Sequence, residues 1–243
     1  VNLSLVSGRD TVFVWIGRGT GDQPASAERL LRQAAAGVLG CPEADLVVTH
    51  RPGAAALVTR DTGPGDQLVV PASVSRGGGV TVVAVRTGGP VGVDVERCRQ
   101  LPALGLARRW YSPAEVAWLA ARPEPGRSRD FLRLWTAKEA VGKALGLGLR
   151  AGGPRRRMPV PGPGRMRPVP AVTDVWVGHP HCPGTLLLAV AVVGGEAEMV
   201  VVGEAERPGH DVPAVRSVST ERTSLPVVVR GSCSSSRRVR GRL

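Results

Sequence analysis

The sequence predicts an α+β fold of two similar subdomains, and three observations predict it. The chain has 243 residues, 42% of them hydrophobic, which is enough for one large or two small domains with a proper core. Each half offers one or two stretches of helical spacing and several short β-branched runs. No short repeat of solenoid type runs through the chain. Aromatics make up only 3%, so Val, Ala and Leu must carry the packing.

Thr11–Ile16 is a short β-branched and aromatic run, read as a strand. Ser26 is the expected N-cap of an Ala/Leu-rich helix that Gly40 ends. Leu46–Thr49, Ala55–Thr59, Leu68–Val70 and Val80–Val85 read as strands. Between the last two, Ser73–Gly79 reads as a glycine-rich loop that lets the backbone approach a ligand. Val91–Val95 is a further strand. Ser112, Pro113 and Glu115 spell a helix start, as N-cap, first helical residue and capping-box partner.

A third helix is expected from Ser128 to Gly146, with Phe131, Leu134, Val141 and Leu145 on its buried side. Ala151–Pro170 is a basic Pro/Gly loop. Val172–Val177, Thr185–Val193 and Glu198–Val202 read as strands, the last two joined as a hairpin at Gly194-Gly195. The expected division is residues 1–92, 93–206 and a basic tail, 207–243, that reads as disordered.

The net charge is +12, and eight Arg against Asp211 and Glu221 place half of it beyond residue 206. Such a chain calls for an acidic partner. Nucleic acid is disfavoured, because aromatics for base stacking are scarce and no recognised binding motif is present. No apolar run has membrane-spanning length and no charged-then-apolar segment opens the sequence. Cys41, Cys98, Cys182 and Cys233 lack paired spacing, which fits a reducing cytoplasm. His50, His179, His181 and Cys182 show no recognisable zinc spacing.

Two stretches carry chemistry. Of 32 Lys plus Arg residues only Lys138 and Lys143 are lysine, and Glu139 lies four residues before Lys143. On a helix, Glu139 and Lys143 project from nearly the same face. Upstream, Asp94 and Glu96 stand at i and i+2 of a strand, so both carboxylates share one face with Val93 and Val95 on the other. Two like charges side by side in an apolar strand call for a cation, and hard oxygens suit Mg²⁺. The bland alternatives are a surface ion pair on the helix and a solvated edge strand whose acids pair with Arg97 and Arg99.

Taken together, VGVDVE at Val91–Glu96 and FLRLWTAKEAVGK at Phe131–Lys143 resemble the paired motifs of the Sfp-type 4′-phosphopantetheinyl transferases. Tyr111-Ser112-Pro113-x-Glu115 is similar to that family's segment before its central helix. The looser similarity runs from about Val12 to Val202. The resemblance implies two pseudo-twofold-related subdomains, each a small, mostly antiparallel sheet packed with helices, with the site between them.

It further implies transfer of the phosphopantetheine arm of coenzyme A to a serine of an acidic acyl or peptidyl carrier protein, by a cytoplasmic monomer. It assigns Asp94, Glu96 and Glu139 to Mg²⁺, Glu139 as base, and Lys143 to the departing phosphate. Arg76 stands where the family carries a His that meets the 3′-phosphate, in Ser73-Val74-Ser75-Arg76, so Ser75 and Arg76 are coenzyme A contacts. Arg51-Pro52 stands for a Lys-Pro near the adenine. Asp94 and Lys143 also join the donor-binding set. Lys138 is either a phosphate contact or a structural ion pair. Arg76 also leaves open a degenerate relative that binds coenzyme A or the carrier without transfer.

Overall fold

The computed structural model describes residues 10–18, 24–49, 55–63, 65–162, 164–182 and 184–203. Among them the first half forms β1 (Thr11–Arg18), α1 (Pro24–Leu39), β2 (Leu46–Thr49), β3 (Ala56–Gly63), β4 (Asp66–Gly77) and β5 (Val80–Arg86). The second half begins with β6 (Val91–Arg97), α2 (Ala103–Trp110), α3 (Pro113–Ala120) and α4 (Glu124–Ala144). It ends with β7 (Arg167–Pro168), β8 (Val175–Gly178), β9 (Leu186–Val193) and β10 (Glu198–Gly203). The fold is α+β, with a six-stranded sheet ordered β10-β1-β5-β4-β3-β2 and a four-stranded sheet ordered β6-β9-β8-β7. Every pairing is antiparallel except β1 with β10.

Alternation along the Val-rich strands sorts their side chains into layers. Val12, Val14 and Ile16 of β1 and Val82 and Ala84 of β5 meet Val91, Val93 and Val95 of β6 and Leu188, Val190 and Val192 of β9. The two sheets therefore share a central core. Their opposite faces are buried too: Phe13, Trp15, Val83 and Val85 pack against α1. Ala189 and Ala191 pack under Phe131, Leu134 and Val141 of α4. Strands buried on both faces read as continuous apolar runs, which is why β5 and β9 lack a polar face.

Arg86 is the largest side chain with no exposure at all. It donates to the Asp10 carboxylate, to the Val193 carbonyl at 2.7 Å and to the Pro90 carbonyl at 3.2 Å. One guanidinium thus ties the ends of β5 and β9 to the start of β6.

Several boundaries differ from the sequence expectation. Ser73–Gly77 is not a loop: β4 runs on through it to Gly77, and only Gly78 and Gly79 turn, both at positive φ. α4 starts a turn earlier than Ser128, because Pro125 lies in the first turn, where a missing N–H costs nothing. Ser128 is inside the helix instead, and its hydroxyl accepts from the Leu101 amide at 3.1 Å. Likewise α1 opens at Pro24, ahead of Ser26.

The short α2 has no side-chain cap to announce it, although Arg108 and Arg109 suit its C-terminal turn. The Gly194-Gly195 hairpin is also absent. With φ of 97° and 123° these glycines carry the chain out of the second sheet, so β10 pairs with β1 in the first. Position 92, the expected division, falls inside β6. No helix among the described residues is long and apolar enough to cross a membrane.

Candidate functional site

The site grows from the seam between the sheets. β6 is the edge of its sheet, so Val93 and Val95 turn N–H groups away from β9. Ser73 and Ser75 of β4 accept them on their hydroxyls, at 3.0 and 3.3 Å, in place of a strand's carbonyls. The approach is close enough that a Cβ on Gly77 would lie 2.4 Å from the Val95 carbonyl oxygen. On the other face of β6, α4 crosses at Gly92, where a Cβ would lie 2.0 Å from the Ala140 oxygen. The largely buried α4 is thereby fixed against the strand that carries Asp94 and Glu96.

A cleft of about 450 Å³ opens where β4, β6 and α4 meet. Ser75, Arg76, Asp94, Glu96, Glu139 and Lys143 all line it. Lys143 donates to Asp94 Oδ1 at 2.8 Å and to the Val93 carbonyl at 3.0 Å. Ser75 donates to the same Oδ1, also at 2.8 Å. Glu96 pairs with exposed Arg99 at 2.6 Å, a rim contact of little energetic weight. Arg97 turns away to the Gly78 carbonyl and Thr185. Arg76 is exposed at the cleft wall.

Burial pushes the Asp94 carboxyl above the usual carboxylate range, with the charge and hydrogen bond of Lys143 and the hydrogen bond of Ser75 pulling the other way. Burial also raises Glu139, and the negative charge of Asp94 adds to it. Among the described residues no three acidic, His or Cys side chains close on one point. Three carboxylates, the hard-oxygen donor type that Mg²⁺ takes, line the one cleft, with Lys143 engaging Asp94.

Lys138 is elsewhere. It is fully buried, 2.7 Å from Glu115 Oε1 and 2.5 Å from the Arg156 carbonyl, and lies 4.6 Å from the centre of the Tyr111 ring. Of its two readings, the geometry gives the structural ion pair and not the phosphate contact. Glu115 also closes the expected capping box, accepting from the Ser112 amide at 3.0 Å. Trp135 packs on Trp110, with ring centres 5.5 Å apart, and edges the cleft. Arg51, Pro52 and His50 lie outside the described residues, as do the tail and Cys233. His179 is pushed down to about 4 by burial and lies with Nδ1 3.2 Å from the Leu188 carbonyl, a structural placement.

Ser73 and Gly92 were not singled out from sequence as site-shaping residues. Their signal was present: S-x-S in register with V-x-V, and a lone Gly inside an apolar strand.

Residues 90–168 match the family model of the 4′-phosphopantetheinyl transferase superfamily. The chain is 37% identical over 81 residues to slr0495 of Synechocystis sp., whose transferase designation is itself provisional. It is 32% identical over 68 residues to the 4′-phosphopantetheinyl transferase gsp of Aneurinibacillus migulanus. It is 33% identical over 78 residues to the 4′-phosphopantetheinyl transferase HetI of Nostoc sp.. These matches cover 33%, 28% and 32% of this chain. The chain spans only about a third of the length of these relatives, 33%, 28% and 33% in the same order. The matched segment contains both motifs, and over it the resemblance read from them is borne out.

Proposed function

We propose that the chain is a 4′-phosphopantetheinyl transferase, moving the phosphopantetheine arm of coenzyme A to a serine of an apo acyl or peptidyl carrier protein. The observation that carries this is the convergence of Asp94 and Glu96 from β6 with Glu139 and Lys143 from α4 on one cleft, all inside the family-matched segment. Asp94, Glu96 and Glu139 would hold Mg²⁺, which when bound neutralises charge on the phosphoryl oxygens. Glu139, raised by burial, is suited to take the serine proton as the hydroxyl oxygen attacks the phosphorus that bears pantetheine. The bond from that phosphorus to the bridging oxygen breaks, and 3′,5′-ADP leaves with the electron pair. Lys143 neutralises the departing phosphate. Arg76, a cation at the cleft wall, meets the 3′-phosphate of the donor.

The finer expectations go with this reading as proposals: Arg51-Pro52 near the adenine, a division near residue 92 into pseudo-twofold-related halves, a cytoplasmic monomer, and a polyketide or peptide carrier. The net charge of +12 favours an acidic carrier surface.

Incubation with coenzyme A, Mg²⁺ and several apo carriers should add one phosphopantetheine arm to the carrier serine, read by mass spectrometry. No gain on any carrier removes the transferase reading. Asp94→Ala, Glu96→Ala and Glu139→Ala are each expected to abolish transfer while leaving a cooperative thermal unfolding transition. Activity kept by any two of them would remove the carboxylate assignment. Lys143→Ala should lower kcat more than it raises the coenzyme A requirement.

The pH profile follows from Glu139. A base with a raised pKa is protonated, and inactive, up to a higher pH than an ordinary Glu. Transfer should fall as pH drops through the range in which Glu139 and Asp94, both raised by burial, take up protons, and added Mg²⁺ should move that loss to lower pH. A transfer rate that does not fall on acidification would contradict the assignment of Glu139 as base.

A further inference from the structure

Two donors reach Asp94 Oδ1 from different elements, Lys143 Nζ from α4 and Ser75 Oγ from β4, each at 2.8 Å. Ser75 has a single hydroxyl proton, and its environment decides where that proton goes. The Val95 amide can only donate, and at 3.3 Å it takes a lone pair of Ser75 Oγ. The proton is thereby directed to Asp94. Neither donor uses Oδ2. Two residues earlier on the same face, Ser73 caps the Val93 amide at 3.0 Å but touches no carboxylate. Both serines are buried to the same degree, at 5% exposure. The pair is therefore a matched set: the same strand, face and edge-capping duty, with one difference.

We propose that Ser75 is a positioning residue for the transfer reaction, holding Asp94 by Oδ1 across the seam between the sheets so that Oδ2 is kept for the cleft. This rests on the function proposed above, and it gives Ser75 a task other than contact with coenzyme A. The first sheet then contributes to the reaction through a carboxylate borne by the second. A buried carboxylate that loses one of two donors has no solvent at hand to replace it, so its orientation is lost with the bond.

The test uses the full chain as wild type, Ser75→Ala, Ser75→Thr and Ser73→Ala. Mn²⁺ alone is titrated and the free ion read by electron paramagnetic resonance, alongside transfer kinetics and thermal unfolding. Ser75→Ala should weaken Mn²⁺ binding at least about tenfold, as loss of a partner behind a metal ligand does. It should lower kcat and leave the KM for the carrier unchanged. Ser75→Thr keeps the hydroxyl and should return Mn²⁺ binding to within about threefold of wild type. Ser73→Ala, which loses one hydrogen bond where Ser75→Ala loses two, should lower the melting temperature by less, yet leave Mn²⁺ binding at the wild-type value.

If the two alanine variants bind Mn²⁺ alike while wild type transfers normally, the role of Ser75 is overturned and the proposed function stands. If the threonine methyl itself lowers the melting temperature, the comparison of the two alanine variants decides alone. A wild-type chain that neither transfers the arm nor takes up Mn²⁺ overturns the proposed function, and the positioning role with it.

Discussion

Gly92→Ala is expected to cost about 3 kcal/mol or more of stability and to cripple the protein that still folds. The added Cβ would sit 2.0 Å from the Ala140 oxygen and 2.6 Å from the Ala144 nitrogen. Both are backbone atoms of α4, so no rotamer change relieves the clash. The helix must retreat by more than about 1 Å, and it carries Glu139 and Lys143 with it. A displacement of that size at reacting groups costs about a hundredfold in rate. Chemical denaturation should show a lower midpoint, and transfer per folded molecule should fall by a similar hundredfold. Gly105→Ala is the control. Nothing lies within 4 Å of its Cβ position on α2, and it should gain about 0.5–1 kcal/mol with activity intact. Equal effects at the two glycines would contradict the close packing of α4 on β6.

Lys138→Met should destabilise the chain by about 3 kcal/mol, at the lower end for breaking a buried ion pair from one side. The Glu115 carboxylate would stay buried at 5% exposure without its cation. It would keep the hydrogen bonds from Ser112 and from the Met158 amide, at 3.0 Å, which is why the loss is not larger. Lys138→Met combined with Glu115→Gln should cost less than the sum of the two single changes. Turnover per folded molecule should remain within about threefold of wild type, since Lys138 does not reach the cleft. A large rise in the coenzyme A requirement with unchanged stability would restore Lys138 to the donor site.

The contrast between the two lysines explains what could be read from sequence. Asp94 with Glu96, and Glu139 with Lys143, are legible because the spacing itself states the geometry: two residues apart on a strand, four on a helix. The capping box of α3 is legible for the same reason, as a pattern within four residues. Its further use is not, because Glu115 and Lys138 are 23 residues apart and meet only when α4 packs on α3. Arg86 and Asp10, 76 residues apart, leave still less local trace.

The strand placement of Ser73 and Ser75 was hidden for another reason. The glycines that follow them read as loop, whereas the polar residues alternating there mark a strand whose neighbour needs donors and acceptors from side chains. The helix start at Pro123–Pro125 misled in the opposite sense, since prolines that break a helix interior are at home in its first turn.

The parallel pairing of β1 with β10 bears on how the chain is made. Thr11 finds its partner at Glu198, so one edge of the first sheet stays open until nearly the whole described region has been synthesised. At bacterial and eukaryotic elongation speeds that interval is about 10–40 s, far longer than the microseconds a hairpin needs to form. The nascent N-terminal half therefore emerges with β5, β4, β3 and β2 able to pair locally but with the outer edge of β1 bare, an invitation to chaperones or to another nascent chain. Expressed alone, it should be prone to aggregation, and co-expression of the remainder should rescue it into the soluble fraction. The strand that covers the edge of β1 also commits the two halves to a single folding event.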